Sequence, residues 1–515
     1  MSGPAIAQGP QNGDSLVGAS IGDASNFIPA LSSDTSSSAV VGQAYLGLVK
    51  YDKNLNIVPD LAESWEISED NLVITFKLRP GVFWADGQPF TAEDCVFTWE
   101  VMRDPNTPTA YGEPFKQMVK AEAIDDLTFR VTYGQVLSKA LLSWSFSIMP
   151  KHLLADKNFD ESPLARTTAG SGPFQLERWE TGQRIIMAAN PGYYDGRPYL
   201  DRLITKIIPD MSTQMMEFAT GALDYMTLEP DQWIEANENP VLAQNNDFYR
   251  YLSFGYTYLG FNLLDPRLAD AKVRQAIAYA IDKDELIDGV LLGFGEKANG
   301  PYKSDMWAYN KNVKPYPFDQ AKAKALLAEA GWRDTNGDGI IDKDGQNFVL
   351  TIMTNQGNRI REQTLLVIQA RLKDVGIEVK PKIVEWAAFL KEFIDKKDFE
   401  AIIMGWTIPM EPDLFDVWNS SKTSPGELNF ISYANSEVDE LIDKARFTLD
   451  RAVQKAALDR AQEIFFQDVP YVFLFVPETL VAVNKRFVGP NKAPIGLFHD
   501  VEKWHVPPNR QLYQE

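Results

Sequence analysis

One segment carries oxygen-bearing side chains at the spacing of a calcium-binding loop. Asp334, Asn336 and Asp338 stand at positions 1, 3 and 5, Ile340 offers a carbonyl at position 7, and Asp342 stands at position 9. Position 12 is a glycine, where an EF-hand has a bidentate glutamate. We therefore expect either a loop that holds a structural Ca²⁺ away from any ligand site, or a metal-free turn rich in Asp and Asn.

The sequence contains few residues of the types that catalytic sites use. Cys95 is the single cysteine, so an internal disulfide and a zinc site built on several thiolates are excluded, and there are three histidines, His152, His499 and His505. No Gly-x-Ser-x-Gly nucleophile motif occurs. We expect a protein that is not an enzyme and requires no cofactor. A hydrolase with paired carboxylates stays as a remote alternative, because 71 residues are acidic.

The charge balance narrows the choice of partners. The 515 residues include 50 Lys and Arg against 71 Asp and Glu, which gives a net charge of −21. This excludes nucleic acid as an expected partner, because phosphate binding needs clustered basic residues. No apolar run is long enough to span a bilayer. Residues 1–12 are small, polar and rich in Gly and Pro, so we expect a disordered start from which an export signal is missing.

Hydrophobic periodicity predicts the elements that must position any site. Leu72, Ile74, Phe76 and Leu78 alternate with polar or smaller residues, which indicates a half-buried strand, and Thr91 opens a helix with a capping box. Beyond residue 268, strands at 348–353, 377–384 and 399–404 alternate with helices at 361–374 and 386–394. This alternation predicts an α/β fold with a parallel sheet that is covered on both faces.

Open α/β sheets bind ligands beyond the carboxyl ends of their strands. Asn355, Gln356 and Arg359 follow the strand at 348–353, and Trp406 follows the strand at 399–404. These residues are candidates for ligand contact. For Trp406 a position in the core is an equal alternative, and for Arg359 and Arg361, which open a helix, a solvated surface position is the main one.

Several sequence blocks in order resemble the family 5 extracellular solute-binding proteins, the oligopeptide, dipeptide and nickel receptors of ATP-driven (ABC) importers. The blocks are Val58-Pro-Asp-Leu-Ala-Glu-Ser-Trp65, Phe76-Lys-Leu-Arg-Pro-Gly-Val-Phe83, Asp86-Gly-Gln-Pro-Phe-Thr-Ala-Glu-Asp94, Met149-Pro-Lys-His152, Gly170-Ser-Gly-Pro-Phe174, Asn190-Pro-Gly-Tyr-Tyr194, Pro198-Tyr-Leu-Asp201, Asn262, and Val273-Arg-Gln-Ala-Ile-Ala-Tyr-Ala-Ile-Asp282. Together they cover roughly residues 40–480.

The resemblance implies a bilobed α/β fold of the periplasmic-binding-protein kind (type II, with an extra inserted domain), whose two lobes are joined by a hinge. Lobe I would be discontinuous, formed by residues 13–48, 168–268 and 476–515. Residues 49–167 would form the inserted satellite domain, and residues 269–475 would form lobe II.

The same resemblance implies an extracytoplasmic receptor, periplasmic or secreted into the cell envelope. It would act as a monomer, capture a ligand between its lobes by hinge closure and deliver it to the permease subunits of an ABC importer. A peptide is the first expectation for the ligand, held by main-chain pairing to strand edges. An oligosaccharide or another non-peptide solute is the alternative, because relatives that bind sugars use stacked aromatic side chains and this chain is rich in Trp.

The resemblance also implies which residues contact the ligand. Many peptide-binding relatives have an aspartate shortly after the Gly-Trp pair as counter-ion for the peptide amino group; here Ile408, Pro409 and Met410 stand there, so Glu411 or Asp413 is the expected substitute. The full candidate set for ligand contact is Ser32, Ser33, Asp34, Thr35, Asn355, Gln356, Arg359, Trp386, Trp406, Thr407, Met410, Glu411, Asp413, Asn429 and Phe430.

Overall fold

The computed structural model describes residues 10–513, apart from residues 110, 157 and 160. The chain divides into two compact units. Unit 1 comprises the chain up to Tyr251 and from Leu480 onward, and unit 2 comprises Leu252–Thr479. Most of the predicted disordered start, residues 1–9, lies outside the described residues. The predicted lobe and satellite boundaries stay predictions.

The elements of unit 1 are mostly short. Its strands are β1 (Ser15–Ser20), β2 (Val49–Tyr51), β3 (Ile57–Pro59), β4 (Ala62–Ile67), β5 (Val73–Leu78), β6 (Met118–Asp125), β7 (Thr128–Tyr133), β8 (Phe174–Glu180), β9 (Arg184–Ala189), β10 (Arg202–Ile207), β11 (Tyr225–Thr227) and β12 (Asn246–Leu252), which ends at the boundary. Its helices are α1 (Thr35–Ala44), α2 (Ala92–Arg103), α3 (Glu113–Lys116), α4 (Lys151–Leu154), α5 (Met211–Ala219), α6 (Pro230–Glu238) and α7 (Pro240–Asn245).

Two four-stranded sheets organise unit 1. One has the order β1-β10-β9-β8, in which only β1 and β10 run parallel, and the other is antiparallel in the order β4-β5-β7-β6. In β5, Ile74, Phe76 and Leu78 are buried as their period of two predicts. Thr91 precedes α2, and its N–H donates to the Asp94 carboxylate at 2.9 Å, which confirms the predicted helix start.

Unit 2 contains the predicted strand–helix alternation. Its strands are β13 (Gly255–Phe261), β14 (Gly295–Lys297), β15 (Asp342–Lys343), β16 (Gln346–Asn347), β17 (Val349–Asn355), β18 (Glu378–Val384), β19 (Ala401–Thr407) and β20 (Tyr471–Asn484), whose last residues belong to unit 1. Its helices are α8 (Ala271–Ala280), α9 (Lys283–Glu285), α10 (Gln320–Glu329), α11 (Arg359–Lys373), α12 (Trp386–Ala388), α13 (Phe415–Trp418), α14 (Ser436–Arg446) and α15 (Arg451–Asp468). Two π-helical turns follow α9 and α12.

The main sheet of unit 2 has the order β20-β13-β19-β17-β18. Alternate residues of β19 enter different apolar clusters: Ala401 and Ile403 join one, and Ile402 and Met404 join the other. Both faces are therefore covered, as predicted. The prediction of a parallel sheet was only partly right, because β17 is parallel to β18 and β19 but β13 is antiparallel to both β19 and β20.

No helix in the described part of the chain combines the length and the hydrophobicity that crossing a bilayer requires.

Candidate functional site

The edge of β19 is open over its last residues. β17 pairs with β19 only at Ala401 and Ile402, although β19 continues to Thr407. On the other side, β13 pairs with β19 throughout, and the N–H of Ile408 still donates to the β13 side, to the Phe254 carbonyl at 3.0 Å. Backbone direction alternates along an antiparallel strand, so the N–H and C=O groups of Gly405 and Thr407 point to the opposite edge. Within the described residues no strand pairs with them there.

Arg361 places a positive charge beside this edge. It lies in the first turn of α11, is half-buried, and donates from Nη1 to Oδ1 of Asn355 at 2.8 Å. Burial lowers the pKa of the Arg361 guanidinium, which stays charged. No carboxylate in the described ranges forms an ion pair with it. The solvated position expected for Arg361 was therefore wrong.

Gly405 lets the guanidinium come this close. A Cβ at residue 405 would lie 2.9 Å from Nη2 of Arg361 and 2.9 Å from the Tyr256 carbonyl oxygen. Such distances are too short for a side chain, so glycine is required. A glycine inside a buried strand is the sequence signal that could have revealed the site, because it often marks the close approach of another group.

Trp406 lies on the opposite face of β19 and is half-exposed. Its ring is nearly parallel to that of Tyr258 at 6.5 Å between centroids and to that of Phe430 at 5.7 Å. Its Nε1 donates to the hydroxyl of Tyr471 at 3.3 Å. The expectation that Trp406 follows the strand was wrong, because β19 extends three residues beyond the predicted end. These three contacts fix the orientation of the Trp406 ring, and part of its surface stays exposed to solvent.

The two carboxylates after Trp406 are both paired with arginines. Glu411 lies 2.6 Å from Nη1 of Arg451. Asp413 lies 3.5 Å from Nε of Arg446, and these two side chains are only 7% and 4% exposed. Ile408 is buried. Arginines of α14 and α15 therefore compensate the negative charge of the loop after β19.

The candidates in unit 1 lie at the start of α1. Asp34 is the N-cap of that helix, and its carboxylate accepts the N–H and the hydroxyl of Ser37 at 2.8 and 2.6 Å. The Ser32 hydroxyl is buried with no hydrogen-bond partner among the described residues, whereas Ser33 and Thr35 are exposed. Asp34 thus has a helix-capping function that is independent of any ligand.

The remaining candidates in unit 2 differ in position. Thr407 belongs to the open edge of β19, and Phe430 supports the ring of Trp406. Asn355 is the last residue of β17, so the expectation that it follows this strand was wrong, and its Oδ1 accepts from Arg361. Asn429 is fully buried and uses its amide on the carbonyls of Asn419 and Tyr433, which gives it a structural function. Gln356 and Arg359 lie on the stretch that leads to Arg361, whereas Trp386 and Met410 lie on two other segments, and all four are at least partly exposed.

The calcium-like loop satisfies its carboxylates with its own donors. Asp334 accepts two glycine N–H groups at 2.7 and 3.0 Å, Asp338 accepts the N–H of Ile340 at 2.8 Å, and Asp342 accepts the N–H and hydroxyl of Thr335. Across the residues that the structure describes, no three Asp, Glu, His or Cys side chains are arranged to hold a metal ion. Calcium at this loop stays a prediction from the sequence.

Comparison with known proteins identifies the family. The model of the bacterial extracellular solute-binding proteins, family 5 (middle region), matches residues 56–427. The chain belongs to this family. It is 35% identical to the oligopeptide-binding protein AppA of Bacillus subtilis (strain 168), over 96% of this chain and 92% of that protein. It is 30% identical to the probable D,D-dipeptide-binding periplasmic protein DdpA of Escherichia coli (strain K12), over 92% and 91%.

The structural comparison confirms the fold expected for a family 5 solute-binding protein. The solved structure of AppA from Bacillus subtilis, in complex with a nonapeptide, is similar with a TM-score of 0.91 and 34% identity, over 97% of this chain and 100% of that one. The predicted resemblance and the α/β fold of the periplasmic-binding-protein kind are therefore confirmed.

Proposed function

We propose that this family 5 protein is the non-catalytic receptor of an ABC importer and that it binds a peptide in an extended conformation. The observation that carries the proposal is the open edge of β19 at Gly405 and Thr407. An extended peptide adds to such an edge as a further strand, so that its main chain contributes the affinity whatever its side chains. The similar receptor AppA was solved with a nonapeptide, which supports the same ligand class.

The positive charge of Arg361 beside the edge favours hydrogen-bond acceptors and negatively charged groups of the peptide. The Arg361 guanidinium has five N–H donors and uses one of them on Asn355. The others suit a peptide carbonyl, an acidic side chain or a carboxyl terminus. Because Glu411 and Asp413 are paired with arginines, this loop does not select for a free amino terminus.

Transport requires more than capture. We place the protein outside the cytoplasm, in the periplasm or cell envelope, where it acts as a monomer. Closure of two lobes around the ligand would produce the form that the permease recognises, because a ligand that contacts both lobes binds the closed form more tightly. No step of this cycle changes the ligand covalently.

An oligosaccharide is the second candidate, and Trp406 is the observation that favours it. Sugars stack on exposed aromatic rings, and the Trp406 ring is fixed in place by Tyr258, Phe430 and Tyr471. The open backbone edge and the guanidinium of Arg361, which has no carboxylate partner among the described residues, favour the peptide, because a neutral sugar needs neither of them.

Isothermal titration calorimetry distinguishes the two ligands. Three titrants are sufficient: a nonapeptide, the same peptide with alternate amides N-methylated, and maltoheptaose. We expect the nonapeptide to bind and N-methylation to weaken it about tenfold or more, since each lost main-chain hydrogen bond is worth about 1 kcal/mol. Binding of maltoheptaose without binding of the peptide would overturn the proposal.

A further inference from the structure

Unit 2 buries the side-chain amine of Lys283 without a countercharge. The residue is 6% exposed, and its Nζ donates to the carbonyl of Ala298 at 3.0 Å. No carboxylate among the described residues forms an ion pair with it. Lysine is almost never fully buried unless it is paired, so this arrangement calls for a physical explanation.

A small cavity adjoins the amine. Its volume is about 20 Å³, and Lys283 and Asn299 are among the residues that line it. The amide Nδ2 of Asn299 donates to the Tyr309 hydroxyl at 2.7 Å and to the Val313 carbonyl at 3.0 Å, which fixes the orientation of the amide. Its Oδ1 is buried and has no hydrogen-bond partner in the described structure. A cavity of this size holds about one water molecule.

We propose that this cavity binds one water molecule between Lys283 and Asn299, and that Lys283 is a neutral amine in the folded protein whose protonation loosens the surrounding segment. The amine donates to the Ala298 carbonyl and to the water oxygen, and the water donates to Oδ1 of Asn299. The buried Oδ1 of Asn299 then has a hydrogen-bond partner.

Burial is the main cause that favours the neutral form of Lys283, and the like charge of Lys297 adds to it. Lys297 carries a like charge and is itself paired with Asp284 at 2.5 Å, and Lys314 lines the cavity. The carboxylate of Asp282 caps the helix that contains Lys283 by accepting the N–H of Asp284. The other titratable groups that line the cavity are the phenols of Tyr316 and Tyr471; burial raises the pKa of each, so both are neutral.

Protonation of Lys283 bears on the pairing of β14 with β20. Ala298 directly follows β14, which pairs with β20 at Phe475, Val476 and Pro477. The N–H of Ala298 also donates to the Leu474 carbonyl at 3.2 Å. One bound water does not solvate a charged amine, so full hydration requires the Ala298 segment to move, and opening there is coupled to proton uptake.

The direction of the pH dependence follows from the two protonation equilibria. A solvated lysine has a pKa of about 10.4, and burial lowers the pKa of Lys283 to about 7. At a pH between these two pKa values, an opening that hydrates the amine is therefore accompanied by the uptake of one proton. The opening constant rises as the pH falls from about 10 to about 7, by up to tenfold per pH unit, and is constant below about 7.

Hydrogen exchange tests this switch. The 515-residue protein is compared with Lys283→Met and with the control Lys272→Met, whose target is a half-exposed surface lysine. Exchange of the segment 295–299 is followed from pH 6 to pH 9 and corrected for intrinsic rates. We expect up to tenfold more opening per unit of falling pH between 9 and 7 in wild type and control, and no such dependence in Lys283→Met. An equal dependence in all three proteins would overturn the proposal.

Two measurements on the wild-type protein cover the case in which Lys283→Met does not fold. NMR of the protein labelled with ε-¹³C-lysine is expected to show one lysine that titrates near neutral pH; titration of all lysines above pH 9 would overturn the neutral amine. A crystal structure at pH 8 is expected to show the water between Lys283 and Asn299, and an empty cavity would overturn the water site.

Discussion

The Cα of Gly405 and the guanidinium of Arg361 approach so closely that a Cβ on residue 405 would lie 2.9 Å from Nη2. This contact joins the first turn of α11 to the open edge of β19. It places a cation with no carboxylate partner among the described residues beside the backbone groups that we propose bind the ligand.

Replacing Gly405 with alanine tests this contact. In Gly405→Ala the new methyl group displaces the guanidinium and crowds the Tyr256 carbonyl, so we expect peptide affinity to fall at least tenfold, about 1.4 kcal/mol. Calorimetry measures the loss. Gly289→Ala is the matched control in unit 2, because no atom lies within 4 Å of a Cβ there. Unchanged affinity in Gly405→Ala would contradict the assigned edge.

The charge of Arg361 is tested by a graded pair of variants. Arg361→Met keeps an apolar stem without charge, and Arg361→Lys keeps the charge without the planar fork. We expect the methionine variant to weaken peptide binding about tenfold to a hundredfold, since hydrogen bonds to charged groups are worth about 1.5–3 kcal/mol, and the lysine variant to fall between. Lys373→Met, at the exposed end of the same helix, is the control. Equal affinities in all three variants would rule out a ligand contact by Arg361.

Trp406 is expected to combine ligand contact with support of the aromatic cluster. Trp406→Phe preserves the stacking on Tyr258 but removes the donor to Tyr471, and Trp406→Ala removes both. We expect Trp406→Phe to weaken peptide binding and Trp406→Ala to weaken it further, as measured by titration calorimetry. Trp386→Ala, which removes an indole 38% exposed that packs on Phe389, is expected to have a smaller effect. The reverse ranking would move the site to Trp386.

The Asp413–Arg446 pair is expected to affect stability rather than ligand selection. Breaking a buried pair by removing one partner costs about 3–5 kcal/mol, so Asp413→Asn should lower the melting temperature measured by scanning calorimetry. Glu437→Gln disrupts an exposed ion pair with Arg460 and should change the melting temperature little. Acetylating the peptide amino terminus should leave affinity unchanged in wild type and Asp413→Asn. An affinity loss confined to Asp413→Asn with free-amine peptides, at unchanged stability, would assign Asp413 to the ligand.

The local pattern of the sequence predicted the elements better than their pairing. The alternation from Ile74 to Leu78, the capping box at Thr91 and the strand–helix order of unit 2 are all encoded within a few residues. The pairing of Tyr256 with Trp406 is not, because it joins strands about 150 residues apart. The mixed direction of the sheet and the full length of β19 follow from that pairing, so local periodicity missed both.

The site was predicted in part for the same reason. The rule that ligands bind beyond strand ends selected Asn355 and Trp406, which lie inside β17 and β19 rather than beyond them, and their contact with a ligand stays a prediction. It missed Arg361, whose burial depends on a glycine 44 positions later. The resemblance suggested Glu411 or Asp413 as the counter-ion of a peptide amino group, and the sequence did not reveal their arginine partners, which lie 40 and 33 residues further along the chain.

The central claim is that the protein binds peptides, and native mass spectrometry tests this claim most directly. The 515-residue protein is incubated with a random nonapeptide library and an equimolar set of malto-oligosaccharides, then transferred under conditions that preserve complexes. We predict a series of added masses that match peptides and are much weaker in Arg361→Met. Added masses in hexose increments, or no added mass, would contradict the account.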